Sequence, residues 1–285
     1  MNDSQLAFLR RTYARTVAFA SGADDPRLEA AFAEVPREDF LGRGPWDIPV
    51  AEGYRRTPDT DLMWLYQNQL VGIVPEKGLN NSHPSFLAML ISLMRLEGGD
   101  HAVHIGAGVG YFTAIMASLV GPRGKVSAVE YEPDLAARAK ANLAPWPQAR
   151  VRQGDGAALP LEAADAILVN AGACRPADVW LDALKDGGRL VLPLTAGYDG
   201  PGGIRMSRGA VFLIEREGES YHAASKSPVA IYPCAGLADP ESEESLKAAF
   251  KKGGVDKVRR LYRGDYVPPP DACWARGPGW ALAYE

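Results

Sequence analysis

Apolar residues recur at helical spacing near the start of the chain and then give way to short continuous runs separated by glycine-bounded helices. Leu6, Leu9, Tyr13 and Val17 mark one face of a helix predicted over 4–20. Asp24-Asp25-Pro26 supplies an N-cap and a first-turn proline, and Leu28, Ala31, Phe32 and Val35 follow at helical spacing. Residues 41–60, rich in glycine, proline and charge, read as a loop. Pro84 opens a further helix, nearly continuously apolar from Phe86 to Leu96 and so predicted to be buried.

From there strands and helices alternate. Strands are predicted at 102–105, 125–130, 150–153, 166–169 and 189–194, and helices at 111–120, 133–143 and 177–184, the last stopping at Gly187-Gly188. This alternation specifies a doubly wound α/β fold, a Rossmann-like parallel sheet covered on both faces. Val211 to Glu215 and Tyr221 to Ala224 flank Gly218 and suit an antiparallel hairpin at the sheet edge, with a last strand at 229–232. A charged amphipathic helix at 241–252 precedes a tail rich in proline, glycine and tryptophan. The expected organisation is a helical N-terminal region with substrate-side loops (1–97), an α/β domain (98–236) and a C-terminal extension (237–285). A length of 285 residues accommodates these as one large domain with appended pieces.

A formal net charge of -4 removes the basic footprint of a dedicated nucleic-acid binder, so no such partner is expected. Cys174, Cys234 and Cys273 are odd in number, widely spaced and without a C-x-x-C pair. They predict neither a zinc site nor a disulfide framework, and no compact acidic cluster predicts another metal. The first residues lack a basic region leading into an apolar one, and no apolar stretch approaches the ~18 residues of a membrane span. A cytoplasmic protein without a membrane partner is expected; its oligomeric state is not set by these features.

The segment Val103-His104-Ile105-Gly106-Ala107-Gly108-Val109-Gly110-Tyr111 carries the most chemistry. A strand ends, three glycines alternate, and a helix begins, bringing free amides and partial positive charge to a turn that a ligand can approach closely. Dinucleotide enzymes place the third glycine one residue later, as G-x-G-x-x-G. Glu130 ends the next strand, where a carboxylate can accept both hydroxyls of a ribose. Gly154-Asp155-Gly156 follows the third strand, where Asp155 can accept from an adenine amino group. Alone, Glu130 reads as a solvated strand end and Asp155 as a turn former. In this order, at successive strand ends, they predict a nucleoside ligand.

The stretch Asp25-Pro-Arg-Leu-Glu-Ala-Ala-Phe-Ala-Glu-Val-Pro-Arg-Glu-Asp-Phe40, the glycine turn, Gly154-Asp155-Gly156 and Leu184-Lys-Asp-Gly-Gly-Arg-Leu-Val-Leu-Pro193 together resemble protein-L-isoaspartate O-methyltransferases across about residues 24–235. The resemblance implies an S-adenosylmethionine-dependent enzyme that methylates isoaspartyl carboxylates in protein repair. It implies cofactor contacts from His104, Gly106, Ala107, Gly108, Gly110, Glu130, Tyr131, Asp155 and Gly156. The family's Thr-Ile-Ser-x-Pro-like stretch is here Asn80-Asn81-Ser82-His83-Pro84, which makes Ser82 the catalytic residue beside the acceptor carboxylate and puts Asn80 and Asn81 on the substrate side. The chain departs from the family at the two asparagines and at His104, where Asp or Glu is usual. It also departs at Asn170-Ala171-Gly172-Ala173-Cys174, in an insertion from Arg55 to Val74, and in the tail after Gly236.

Transfer to a carboxylate needs alignment and exclusion of water rather than a base, since a carboxyl group with a reference pKa near 4 is already ionised. A Ser82–His83 nucleophile is disfavoured because adjacent side chains rarely meet. Two alternatives stand beside isoaspartyl repair: a relative methylating a small-molecule carboxylate or modified peptide, and a non-catalytic module that binds the cofactor. Trp64, Trp274 and Trp280 read as loop anchors, with a substrate groove as the other reading.

Overall fold

The structure, a computed structural model, describes residues 1–51, 53–199 and 205–285. In chain order the elements are helices α1 (Asp3–Ser21), α2 (Pro26–Glu34) and α3 (Arg37–Leu41), strands β1 (Asp47–Val50) and β2 (Gly53–Arg56), helix α4 (Leu62–Leu65), strands β3 (Gly72–Val74) and β4 (Leu79–Asn80), and helix α5 (Pro84–Met94). Strand β5 (His101–Ile105), helix α6 (Tyr111–Val120), β6 (Lys125–Glu130), α7 (Pro133–Asn142), β7 (Ala149–Gln153), β8 (Ala164–Val169) and α8 (Asp178–Ala183) follow. Then come β9 (Leu184–Asp199), β10 (Arg205–Glu217), β11 (Ser220–Ile231), α9 (Pro240–Lys252), β12 (Arg260–Arg263), β13 (Cys273–Gly277) and β14 (Trp280–Ala283). Two compact units form: Met1–Asp100 with Ala107–Gln153, and His101–Gly106 with Gly154–Glu285.

The first unit begins as its sequence dictates. Asn2 and Gln5 close a capping box on α1, and Gly22 ends it in the left-handed region. Asp25 caps α2 by accepting the Arg27 amide at 2.9 Å, with Pro26 in the first turn. α1 packs on α2 and α5. Tyr13, Phe32, Tyr111 and Phe112 then meet edge to face, with centroids 5.0 to 6.3 Å apart, each pair adding roughly 0.5–1.5 kcal/mol to simple burial. α6 is buried at every position but Ser118, as an all-apolar helix must be. β6 and β7 pair in parallel from Val126↔Ala149 to Glu130↔Gln153.

In the second unit the strand order is β13-β14-β12-β11-β10-β9-β8-β5. β5, β8 and β9 run parallel and the rest antiparallel. β5 is buried at all five positions, and Val211 to Ile214 of β10 are buried in succession. Such runs mark strands covered on both faces.

Several sequence expectations are corrected. Residues 41–60 contain the β1–β2 hairpin, paired from Asp47↔Arg56 to Val50↔Gly53. The helix expected to reach Leu96 ends at Met94, with Arg95 at φ +50°. The helix expected over 177–184 spans only Asp178–Ala183, and Gly187-Gly188 is no stop. Residues 185–188 are instead a bulge: Ala164 pairs Leu184, and Ala166 already pairs Arg189. The hairpin around Gly218 is longer than expected and lies inside the sheet, and 229–231 continues β11 rather than forming a separate strand. The tail extends the sheet by three strands. Trp274 and Trp280 anchor it, their indole N–H groups donating to Gly253 O at 3.0 Å and Ser242 Oγ at 2.8 Å. Trp64, on α4, donates to Asp59 Oδ1 at 2.9 Å in the turn just before that helix.

Candidate active site

In the first unit the glycine turn is built around one carboxylate. Glu130 ends β6 and is 6% exposed. Its Oε2 accepts the Gly108 amide at 2.6 Å and its Oε1 the Glu132 amide at 3.0 Å. Burial raises the Glu130 pKa, and these backbone donors oppose the rise. A carboxylate offers about four lone-pair sites, so acceptor capacity remains for a hydroxyl donor beyond the backbone amides of Gly108, Tyr131 and Glu132. Ala107 N–H donates to Val129 O at 3.2 Å, and Gly110 N–H to Ala107 O at 2.9 Å. Gly110 has φ +90°, and a Cβ there would stand 3.0 Å from Leu143 Cδ1, so glycine is required on both conformational and steric grounds. Tyr131 is 47% exposed, and its carbonyl accepts from Gln153 Nε2 at 2.9 Å.

The same unit brings the Asn80-Asn81-Ser82 segment to that turn. β3 and β4 pair at Gly72↔Asn80 and Val74↔Leu79, and the Asn81 amide donates to Val71 O at 2.8 Å. Between these ties, Ile73 Cδ1 lies 3.7 Å from where a Cβ on Gly108 would sit. At the hairpin tip, Lys77 Nζ pairs with Glu132 Oε2 at 2.6 Å, two residues beyond Glu130. Ser82 adopts φ +47°, and its amide donates to Asn80 Oδ1 at 2.9 Å. A non-glycine residue in this region is held there by its surroundings.

His83 caps the backbone of α5, and its Nδ1 lies 3.2 Å from Ser85 Oγ. Burial first, then the Arg37 cation, lowers its pKa. Ser85 and Asn68 bond reciprocally: Asn68 Nδ2 donates to Ser85 Oγ at 3.1 Å, and Ser85 N–H to Asn68 Oδ1 at 2.9 Å. The loop carrying Asn68 is fixed by Arg37, a fully buried cation. Arg37 Nη1 donates to Leu65 O at 2.6 Å and Gln67 O at 2.9 Å, and Nη2 to Gln69 O at 2.9 Å. Its guanidinium carbon lies 5.5 Å from the Tyr13 ring centroid and 5.9 Å from that of Tyr111. Sequence reading quoted Arg37 in a family signature without seeing this role, and it missed Ile73, Lys77 and the Asn68–Ser85 pair. Only Ser85, a polar residue at the start of a largely apolar helix, hinted at the last.

The second unit holds the other predicted residues. His104 lies wholly buried on β5, its pKa pushed down to about 3 by burial, so the imidazole is neutral. Gly106 has φ +80°, and a Cβ there would lie 3.1 Å from Asn170 O. Asn170 is tied to the turn from both sides, its amide donating to Ile105 O at 2.8 Å and its Nδ2 to Gly106 O at 3.3 Å. Asp155 Oδ1 accepts the Ala157 amide at 2.9 Å, while its Oδ2 faces Gly236 so closely that a Cβ on Gly236 would overlap it. A Cβ on Gly156 would stand 2.5 Å from Ile105 Cγ2, and Gly156 O accepts the Trp180 indole N–H at 2.7 Å.

These geometries agree with what the chain is similar to. The model of the protein-L-isoaspartate(D-aspartate) O-methyltransferase family matches residues 20–201. A protein-L-isoaspartate O-methyltransferase of Rhodopseudomonas palustris is 34% identical over 196 residues, covering 66% of this chain and 79% of the relative. One from Methylorubrum populi is 33% identical over 221 residues, covering 76% and 91%. Among solved structures, a protein-L-isoaspartate O-methyltransferase shares the fold with a TM-score of 0.64 at 23% identity, over 90% of this chain and 72% of that one. A Plasmodium falciparum chain solved with S-adenosyl-L-homocysteine gives 0.61 at 17% identity, over 79% and 97%. With family model, relatives and fold in accord, the chain belongs to the protein-L-isoaspartate(D-aspartate) O-methyltransferase family and is an S-adenosylmethionine-dependent O-methyltransferase.

Proposed function

We infer that the chain methylates the carboxylate of isoaspartyl residues in peptides and proteins, in the cytoplasm, without a metal. The observation that supports this best is the β3–β4 hairpin. Ile73 rests on the glycine turn at Gly108, and the strand paired with it delivers Ser82. Donor-side and acceptor-side residues are thereby tied together within one unit.

The residues present fit the cofactor. Glu130 keeps acceptor capacity toward the ribose hydroxyls after accepting backbone amides. Gly108 and Gly110 leave the turn bare, and Ala107 and Tyr131 flank it. Within the second unit, the family resemblance assigns His104, Gly106, Asp155 and Gly156 to the cofactor, with Asp155 as the acceptor for an adenine amino group. His104 serves as a neutral group where relatives place a carboxylate, so it contributes a hydrogen bond and no charge. The 1–97 region supplies the acceptor side, 98–236 the cofactor side and 237–285 an added layer.

Bound S-adenosylmethionine supplies an activated methyl on a sulfonium. The protein's task is alignment and exclusion of water. Ser82, held in its uncommon conformation by Asn80, donates a hydrogen bond that orients the acceptor oxygen. Ser82→Ala is expected to lower turnover of an isoaspartyl peptide by about 10- to 100-fold, the worth of one hydrogen bond to a charged group. Affinity for S-adenosylhomocysteine should stay within about twofold by the same reasoning. Radiolabel transfer and calorimetry measure the two. Equal losses in both, or none in either, reject the assignment.

A further inference from the structure

The two asparagines before Ser82 do different work. Asn80 is spent on the scaffold: its Oδ1 takes the Ser82 amide at 2.9 Å, and the Tyr54 hydroxyl bonds the same side chain. Asn81 is different. It is 5% exposed, its backbone is tied to Val71, and its side-chain Nδ2 has no hydrogen-bond partner among the described residues. A buried amide donor left unsatisfied is costly, and a functional role is one of the few reasons a native protein retains one.

What completes it follows from where it stands. Asn81 directly precedes the strained Ser82, on the hairpin that presses Ile73 against the glycine turn. An –NH2 group carries two donors and suits a ligand made of acceptors. An ionised carboxylate is such a ligand, and a hydrogen bond to a charged acceptor is stronger than one to a neutral group.

We propose that Asn81 Nδ2 is a second carboxylate-binding group, donating to the acceptor's carboxylate beside Ser82 and making this chain's acceptor pocket selective for an ionised acid. The assignment rests on the isoaspartyl reading above.

The test compares the whole protein with Asn81→Leu, Asn81→Val and Asn81→Asp. Asn81→Leu removes the orphan donor at similar volume, and Asn81→Val does so without risk of overpacking. Both should be at least as thermally stable as the parent, because an unsatisfied buried group is gone. Both should bind S-adenosylhomocysteine within about twofold of the parent, yet show KM for an isoaspartyl peptide raised by roughly 10- to 100-fold, the range for a charge-assisted hydrogen bond. Asn81→Asp, opposing carboxylate with carboxylate, should lose more. A purely structural asparagine would alter stability and leave KM alone. Unchanged KM in Asn81→Leu and Asn81→Val, or a loss falling on S-adenosylhomocysteine affinity instead, overturns the assignment while the isoaspartyl reading stands. A parent protein that binds S-adenosylhomocysteine but transfers no methyl to the peptide overturns that reading and this assignment with it.

Discussion

Glu130→Ala should weaken S-adenosylhomocysteine binding by at least about 100-fold in calorimetry, because two hydrogen bonds to an ionised acceptor are each worth roughly 1.5–3 kcal/mol and every 1.4 kcal/mol is tenfold. The carboxylate acts twice. In the free protein it already holds the Gly108 and Glu132 amides, fixing the turn before any ligand arrives. In the proposed complex it also receives the ribose hydroxyls. The alanine variant loses both, so the turn must be ordered at the moment of binding, a further cost. Glu130→Gln keeps one acceptor and should fall between, near tenfold. Affinity within about threefold of the parent for the alanine variant would show that the ribose lies elsewhere.

Arg37→Met should be the most destabilising single change. Methionine fills much of the space but leaves the carbonyls of Leu65, Gln67 and Gln69 without their donors. An unsatisfied buried acceptor such as Leu65 O costs about 1–3 kcal/mol and the part-buried Gln67 and Gln69 carbonyls less, which puts the total at about 4 kcal/mol. At roughly 2–4 °C per kcal/mol for a chain of this class, the melting temperature should drop by about 10 °C in a calorimetric scan. Arg37→Lys should recover little, since one ammonium on a flexible stem cannot serve three carbonyls in fixed fork geometry. Activity should fall further than cofactor affinity, because Asn68 sits between two of the clamped carbonyls and braces Ser85. A melting temperature within about 2 °C of the parent, less than one lost hydrogen bond would cause, would contradict the clamp.

Much of the fold was legible because local chemistry and tertiary placement agree there. α6 and β6 begin and end where the sequence says, since Gly110 and Gly121 punctuate the helix and every residue between is suited to burial but one. Other elements were hidden for physical reasons. β2 alternates no apolar face, being mostly exposed. In β10, Gly209 reads as a break, yet it marks close approach: a Cβ there would overlap the carbonyl of Leu194 on the neighbouring strand. β12 and β14 are short, and their pairing joins Arg260 to Ala283 and Arg263 to Trp280, partners that no local pattern reveals. At the site, Glu130 was legible because strand-end carboxylates after a glycine turn are few. The Arg37 clamp was not, because its three partners are backbone carbonyls, which carry no residue signature. Asn80 and Asn81 looked alike in sequence, and only hydrogen bonding separates them.

The hairpin over the glycine turn has one greasy fastening and one ionic one. Ile73 meets Gly108 through a half-buried apolar side chain, whereas Lys77 is 57% exposed where it meets Glu132. Screening lengths shrink to about 10 Å at 0.1 M salt and about 3 Å at 1 M, so brine loosens the tip and spares the base. In concentrated electrolyte the strap is therefore expected to fray from its far end, beside Glu132, while the segment bearing Ser82 stays moored.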